Sequence, residues 1–325
     1  MNKNMNIVLA TDNNFVQHCC VTITSILCNN EDVDIYVITE GLSQENEQLL
    51  RKQVEKLGGR FHTALVDKAV IAKLPMPKTA AQHISPATYY RLFVAEILPD
   101  TIDKLIYLDC DIVVRGSLAD YWNIDLTGKP LAAAYQYNSW ATNTYKGRIS
   151  SYERLDMHGA VGYFNAGSLL INLKYWREHH VQDMLLRFLE SHYDKITSHD
   201  QDILNGCFYK DVFPISNIWN FRYPMPVDYY GTEFINREEI KRIARQAVVI
   251  HYVNRPKPWE YAGKHIYTKE YYKYLDKTPF AGWRPTFKAE NIYKYHLRPI
   301  LVDIKHFFDK LLKIGYYDPK NHKTS

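Results

Sequence analysis

The chain has 325 residues, of which 46% are hydrophobic and 23% charged, a balance typical of a globular protein with a full core. Residues 284–325 include nine basic and four acidic residues and have a net charge of +5. The net charge of the rest of the chain is therefore −1. With a total of only +4, we predict no nucleic-acid partner. The five cysteines lack metal-site or disulfide-framework spacing, and neither a signal peptide nor an apolar run of ~20 residues is present, so we predict a cytoplasmic protein.

The first third of the sequence alternates between predicted strands and helices. Strands are predicted over Asn6–Thr11, Asp34–Thr39 and Arg60–Val66, and helices over Val16–Leu27, from Ser43 to Gly58-Gly59, and from Ser85-Pro86. This alternation is typical of right-handed crossovers between the strands of a mostly parallel sheet. The predicted fold class is therefore α/β.

Residues 105–114 (LIYLDCDIVV) read as the next buried strand, with Asp109 and Asp111 after its apolar half. Ligands of open parallel sheets bind at the carboxyl ends of the strands, which is where these two acids lie. Later predicted elements are an apolar segment around Phe164–Leu173, helices near Val181–Tyr193 and from about Asp200, and a strand over Val248–Val253.

The two aspartates form a candidate cation site. Residues i and i+2 of a strand point to one face about 6.7 Å apart, so both carboxylates can bend toward one hard cation. Cys110 would point the other way, which excludes it as a ligand. The alternative is that the carboxylates only serve turns and caps at a strand end.

Three functional readings fit such a pair. In the first, the D-x-D segment binds a divalent ion, which in turn binds the diphosphate of a nucleotide. In the second, Asp109 is the nucleophile of a haloacid-dehalogenase-type phosphatase, although three strands precede it and no later lysine and acid pair is evident. In the third, the chain is a non-catalytic nucleotide-sugar-binding module. The first reading is favoured.

Four further stretches favour the diphosphate reading. They are ATDNNF (Ala10–Phe15) after the first strand, FNAG (Phe164–Gly167), HDQDILN (His199–Asn205) at a helix start, and HYVNRPKPW (His251–Trp259) after a late strand. They offer polar and aromatic groups to a nucleotide, small residues that permit close approach, and a histidine beside a lysine on a proline-stiffened loop. Each stretch alone also has an ordinary structural reading, such as a helix cap or a core histidine.

Taken in order and spacing, D-C-D, YFNAG, DQDILN and H-Y-x-x-x-x-KPW resemble the retaining glycosyltransferases of family 8, with bacterial lipopolysaccharide galactosyl- and glucosyltransferases as the closest likeness. His83–Ser85 and ATYYRL (Ala87–Leu92) also match. The resemblance covers roughly residues 5–260. It implies a GT-A fold, a UDP-hexose donor, Mn²⁺ with Mg²⁺ as the other candidate, and a glycan or glycolipid acceptor in surface polysaccharide synthesis.

The resemblance also implies roles for individual residues. Those expected to bind the metal are Asp109, Asp111 and His251. Those expected to bind the nucleotide are Ala10, Asp12, Asn14, Phe15 and Lys257. Those expected to bind the donor sugar are Arg91, Asn165, Asp200 and Gln201, of which Asp200 and Gln201 would be catalytic. The sequence departs from the family pattern at Asn254 and Arg255, where glycine and proline are usual, and at Asn13, where an acid is common.

The carboxyl-terminal tail has a different character. From Pro299 onward, apolar residues recur at helical spacing with basic residues between them, which predicts an amphipathic basic helix. Such a helix either docks on its own domain or contacts an anionic membrane surface. We therefore expect a GT-A domain over residues 1–283, an extension over residues 284–325, and a position at the inner face of the cell membrane as one alternative.

Overall fold

The computed structural model describes residues 4–72, 74, 86–136, 151–158, 162–222, 237–253, 255–261, 265–287 and 289–293, with positions 297, 298, 300, 301 and 304. The matching stretch His83–Ser85, the departure at Asn254 and most of the predicted tail helix lie outside these residues.

The amino-terminal part alternates between strands and helices as predicted. Its elements are β1 (Met5–Ala10), α1 (Val16–Leu27), β2 (Val33–Thr39), α2 (Gln44–Lys56), β3 (Arg60–Leu65) and α3 (Lys68–Ala72). Ser43 caps α2, because its Oγ accepts a hydrogen bond from the backbone N–H of Asn46 at 3.2 Å. Gly58, just beyond the helix, has a φ of +81°, which glycine adopts without steric cost.

The middle part differs from the prediction at two places. A 3₁₀ helix (Pro86–Phe93) occupies the described start of the predicted helix, and is followed by α4 (Val94–Ile97). The predicted strand over residues 105–114 is two strands, β4 (Lys104–Leu108) and β5 (Ile112–Val114), which belong to different sheets. Asp109 and Asp111 therefore lie in the turn between two strands, and the i, i+2 strand geometry does not apply to them.

The remaining elements complete both sheets. They are α5 (Ala119–Trp122), β6 (Leu131–Tyr135), α6 (Ser151–Arg154), β7 (Phe164–Asn172), α7 (Leu173–Glu178), α8 (Val181–His192), α9 (His199–Phe208), β8 (Phe213–Ile215), a 3₁₀ turn (Asn217–Trp219), β9 (Phe221–Arg222), α10 (Arg237–Gln246), β10 (Val249–His251), α11 (Thr268–Leu275) and α12 (Ala289–Ile292). The predicted apolar segment around residue 164 is the long strand β7, and the predicted late strand is shortened to β10.

A seven-stranded sheet in the order β3-β2-β1-β4-β7-β6-β8 forms the centre of the fold. Among its described strands, four of the six neighbouring pairs are parallel, and β7 runs antiparallel to both β4 and β6. This confirms the predicted α/β class with a mostly parallel central sheet. Because Leu108 pairs with Ser168, the carboxyl end of β4 meets the middle of β7.

The core covers both faces of this sheet. Val8 and Leu169 face one buried cluster, and Ile7 and Leu170 face the other. All seven residues of β2 are buried, as expected for a strand with helices on both sides. A smaller sheet, β5-β10-β9, packs nearby. Within the described part of the chain, the helices are too short or too polar to cross a bilayer.

Candidate active site

A cleft of about 700 Å³ opens at the carboxyl ends of β1 and β4. The predicted site residues that line it are Ala10, Asp12, Phe15, Arg91, Asp109, Asp111, Asn165, Asp200, Gln201 and Lys257. The cleft is also lined by residues that were not singled out, among them Thr88, Tyr107 and Thr197. Two predicted residues, His251 and Asn14, are not part of the lining.

His251 lies directly beside the paired acids. One ligand atom from each of Asp109, Asp111 and His251 falls within a group whose members are all within 4.8 Å of one another. Nε2 of His251 lies 3.0 Å from Oδ1 of Asp111 and 3.7 Å from Oδ2 of Asp109. The structure thus brings the three predicted metal ligands together.

The smaller sheet explains this arrangement. β5 begins at Ile112, directly after Asp111, and pairs with β10 so that Ile112 is opposite His251. The backbone N–H of Tyr252 donates to the carbonyl oxygen of Asp111 at 3.0 Å, which extends the pairing past both strand ends. The acids and the histidine are therefore fixed to each other by backbone hydrogen bonds.

Two observations show that these residues fit a divalent metal. Oδ1 of Asp111 is buried and, although Nε2 of His251 is 3.0 Å away, no described residue donates a well-directed hydrogen bond to it, so this oxygen can turn a lone pair to a cation. Gly167 leaves the space open, because a Cβ atom there would overlap the imidazole of His251 and the carboxylate of Asp109. Mixed carboxylate and imidazole ligation suits Mn²⁺ better than Mg²⁺, which prefers oxygen and water.

Arg91 joins a predicted metal ligand, Asp109, to a predicted donor-sugar residue, Asp200. Its Nη2 donates to Oδ1 of Asp109 at 2.6 Å, and its Nε lies 2.9 Å from Oδ2 of Asp200. The guanidinium also stacks on the ring of Tyr107, with 4.2 Å between Cζ and the ring centroid. Burial raises the pKa of the Asp200 carboxyl to about 7, with the charge of Arg91 opposing this shift and that of Asp109 adding to it. Arg91 was predicted to contact sugar, and its donors are engaged by these partners.

Lys257 lines the cleft and pairs with Asp111. Its Nζ is 2.7 Å from Oδ2 of Asp111 and also donates to the carbonyl oxygens of Tyr252 and Val253. Burial alone would raise the pKa of the Asp111 carboxyl, but Lys257 and His251 together outweigh burial and hold that pKa below its ordinary value.

Phe15, in the loop after β1, lines the cleft and lies beside further aromatic rings. The ring of Phe15 lies 4.5 Å from that of His18, which stacks on Trp259 at 4.1 Å. Burial lowers the pKa of His18 to about 4, so this imidazole is neutral at pH 7. Asn14 is exposed, and its backbone N–H donates to Oδ1 of Asp12 at 2.9 Å.

Asn13, to which no role was given, has a structural one. Its Oδ1 accepts hydrogen bonds from the backbone N–H of Ser43 at 2.8 Å and from Nδ2 of Asn46 at 2.9 Å. Asn13 therefore joins the loop after β1 to the start of α2.

A line of hydrogen bonds connects the two ends of the site. Nδ1 of His251 is 3.0 Å from Oδ1 of Asn220, whose Nδ2 donates to Oδ1 of Asn165 at 2.9 Å. Nδ2 of Asn165 then donates to Oε1 of Gln201 at 2.8 Å, and Nε2 of Gln201 donates to Oε1 of Gln136 at 2.8 Å. Sequence reasoning missed Asn220 and Gln136, because neither stands in a recognisable motif.

Asp202, the other acid at the start of α9, has a structural role. Its carboxylate has no exposed area and accepts hydrogen bonds from Arg154 at 2.8 and 3.0 Å and from the hydroxyl of Tyr163 at 2.6 Å. It also accepts from the backbone N–H groups of Thr197 and Ser198, each at 2.7 Å. Asp202 therefore fixes the entry to α9 and leaves Asp200 and Gln201 to face the cleft.

Comparison with known proteins identifies the family. The sequence profile of Glycosyl transferase family 8 matches residues 6–263. The chain belongs to glycosyl transferase family 8. It is 26% identical to General stress protein A of Bacillus subtilis over 84% of this chain and 94% of that protein.

A second relative, lipopolysaccharide 1,3-galactosyltransferase of Salmonella typhimurium, is 25% identical over 85% of this chain and 79% of its own length. The crystal structure of galactosyltransferase LgtC in complex with donor and acceptor sugar analogs superposes with a TM-score of 0.72. It is 28% identical and covers 88% of this chain and 99% of that chain. Membership of family 8 therefore indicates that the protein is a glycosyltransferase.

Proposed function

We propose that this protein is a hexosyltransferase that moves galactose or glucose from a UDP-sugar to a glycan or glycolipid acceptor in surface polysaccharide synthesis. The observation that carries the proposal is that Asp109, Asp111, Asn165 and Gln201 line one cleft of a family 8 chain, with His251 directly beside the two acids. A relative that is a lipopolysaccharide galactosyltransferase, and a similar solved structure with sugar analogs bound, support the donor and acceptor classes.

The metal centre is expected to hold Mn²⁺, with Mg²⁺ as the other candidate, through Asp109, Asp111 and His251. When bound, the ion supplies positive charge where negative charge develops on the departing UDP. Ala10, Asp12, Asn14 and Phe15 are expected to bind the uridine.

We assign Lys257 to the diphosphate. Its ammonium lies 2.7 Å from Oδ2 of Asp111. Once a cation satisfies the charge of Asp111, the ammonium becomes available to the phosphate oxygens. The lysine is thereby held at the position where the diphosphate is expected to bind.

Gln201 and Asp200 are expected to act on the donor sugar. Oε1 of Gln201 already accepts hydrogen bonds from Asn165 at 2.8 Å and from the backbone N–H of Ala166 at 3.1 Å. An amide oxygen with two donors is a poor nucleophile, which supports a positioning role for Gln201 and a retaining attack from the face of the leaving group. In this proposal a phosphate oxygen of UDP takes the proton of the acceptor hydroxyl. Trapping of a glycosyl adduct on Gln201 or Asp200 would contradict it.

The proposed donor is tested by a UDP-release assay. The protein is incubated with UDP-glucose, UDP-galactose or their N-acetyl forms, each with MnCl₂ and with a chelator. We expect metal-dependent release of UDP from one or both unmodified hexose donors. Binding of UDP without any release would indicate a non-catalytic module, and metal-dependent phosphate release from p-nitrophenyl phosphate would indicate the phosphatase alternative.

We further propose that residues 284–325 form an extension that holds the enzyme on the inner face of the cell membrane. In this segment Leu297, Ile300, Leu301 and Ile304 are 47–56% exposed, and the segment carries a net charge of +5. Apolar side chains beside lysines suit anionic headgroups. Removal of residues 284–325 is expected to abolish sedimentation with phosphatidylglycerol vesicles and to spare UDP-sugar hydrolysis. Aggregation of the truncated protein would instead show that the tail covers its own domain.

A further inference from the structure

The hydrogen-bond line from His251 to Gln136 has a direction that the backbone determines. The backbone N–H of Gly167 donates to Oδ1 of Asn165, and that of Ala166 donates to Oε1 of Gln201, each at 3.1 Å. A backbone N–H is a donor only, so the atom it meets in each side chain must be the oxygen. The amides of Asn165 and Gln201 are therefore fixed in one orientation.

The fixed amide of Asn165 determines the orientation of Asn220. Since Oδ1 of Asn165 is an acceptor, Asn220 must direct its Nδ2 toward it, and this leaves Oδ1 of Asn220 facing His251. Nδ1 of His251 must then carry a proton in order to donate. In the neutral ring Nε2 is left with a lone pair, directed at the group formed with Asp109 and Asp111.

Because these side chains are buried, water cannot replace a hydrogen-bond partner that one of them loses. Asn220 is fully buried, and His251 and Asn165 are 3% and 5% exposed. Removing the amide of Asn220 would leave the Nδ1–H of His251 without its acceptor, at the cost of an unsatisfied buried donor. The imidazole would then be free to adopt the other tautomer or to rotate.

We propose that Asn220 is a positioning residue that holds His251 in the Nδ1-protonated tautomer required of a metal ligand and, through Asn165, links the metal centre to Gln201. This inference rests on the proposed function, because it takes His251 as a ligand. The backbone accounts for the position of Asn220, which directly precedes β9, and β9 pairs with β10 so that Arg222 is opposite His251.

Three variants separate the two connections of Asn220. Asn220→Leu removes both of them. Asn220→Asp retains an acceptor for His251 but has no donor for Asn165. Asn217→Leu is the matched control, because Asn217 is a buried asparagine of the same turn whose Oδ1 accepts from Arg222 at 3.2 Å, outside the line.

Affinity for Mn²⁺, measured by calorimetry with MnCl₂ in the presence of UDP, is the first readout. We expect Asn220→Leu to weaken Mn²⁺ binding about 10- to 100-fold, the usual effect of losing a partner of a ligating histidine. Asn220→Asp and Asn217→Leu are expected to stay within about threefold of the wild type, because both retain an acceptor for His251. Asn220→Asp should still lower kcat about tenfold or more, since it disturbs Asn165 and Gln201.

NMR of ¹⁵N-histidine-labelled protein loaded with diamagnetic Zn²⁺ is the second readout. We expect a proton on Nδ1 of His251 in the wild type and in Asn220→Asp. A proton on Nε2 in the wild type, or wild-type Mn²⁺ affinity in Asn220→Leu, would overturn the inference. Circular dichroism shows whether Asn220→Leu folds. If it does not, Asn220→Asp provides the test, and weak Mn²⁺ binding by this folded variant would overturn the inference.

Failure of the proposed function gives a different result. In that case the wild type and Asp111→Asn would bind Mn²⁺ equally, or neither would bind it. If Asp111→Asn loses Mn²⁺ binding while Asn220→Leu binds Mn²⁺ as tightly as the wild type, only the proposed role of Asn220 is contradicted.

Discussion

The ammonium of Lys257 and the carboxylate of Asp111 are paired at 2.7 Å, so a residue expected to bind the diphosphate contacts a residue expected to bind the metal. The pair places a protein cation in the cleft, directly beside a predicted metal ligand. Its partners must change when metal and nucleotide bind, because the carboxylate then has a closer cation.

Lys257→Met is expected to weaken UDP binding in the presence of MnCl₂ by about tenfold or more, the value of one hydrogen bond to a charged group. Titration calorimetry with UDP measures the effect. The control is Lys174→Met, which removes a lysine paired with Glu178 on the surface. Equal UDP affinities for the wild type and Lys257→Met would remove this lysine from the nucleotide site.

Asp111→Asn tests the metal centre directly. Loss of this anionic ligand is expected to reduce kcat about 100-fold or more and to abolish the dependence of the rate on MnCl₂, because charge stabilisation of the leaving group is lost. UDP release at several MnCl₂ concentrations measures both. Asp120→Asn, an exposed change in α5, serves as the control, and a normal Mn²⁺ response in Asp111→Asn would contradict the metal role.

Arg91→Met tests the bridge between two buried acids. The change leaves Asp109 and Asp200 without their shared guanidinium, and we expect the free energy of unfolding to fall by about 3–5 kcal/mol in the presence of a chelator. Urea denaturation provides the measurement. Arg242→Met, which removes a surface pair with Glu239, should stay within about 0.5 kcal/mol of the wild type.

The pair of Arg154 and Asp202 makes stability depend on pH. Burial opposes the charged form of Asp202, but the hydrogen bonds and charge of Arg154 outweigh it and lower the pKa of that carboxyl. The folded-state pKa is thus below the unfolded value of about 3.9, so the stabilisation is complete above that pH and is lost as pH falls through the folded pKa.

Asp202→Asn should therefore cost about 2 kcal/mol or more at pH 7, and this difference from the wild type should shrink as pH falls toward 3. Urea denaturation across this pH range measures it. Asp183→Asn, on the exposed surface of α8, is the matched control. A difference that stays constant with pH would show that folding does not lower the pKa of this carboxyl.

Local sequence patterns were sufficient to predict the strands and the longer helices of the amino-terminal part. The helix over Val16–Leu27 has the predicted ends, and the strands β1, β2 and β3 are within one residue of theirs. Apolar periodicity and caps act within a few residues, so the sequence contains them directly. The family motifs were also recognisable because each is a short run of several residues.

Features that depend on long-range pairing were not predictable in the same way. Residues 105–114 read as one apolar strand, since nothing local indicates that β5 pairs with β10 far along the chain. The partners of Arg91 and Lys257, and the amides of Asn220 and Gln136, depend on residues far apart in sequence. An isolated buried asparagine carries no pattern, and its role appears only once its neighbours are known.

The turn from Asp109 to Asp111 connects two sheets with only three residues. Inserting or deleting one residue there would shift β5 by one position relative to β10 and reverse which side chains face the interior. We therefore expect that insertions and deletions are not tolerated in this turn. The longer segments that join other strands can accommodate them.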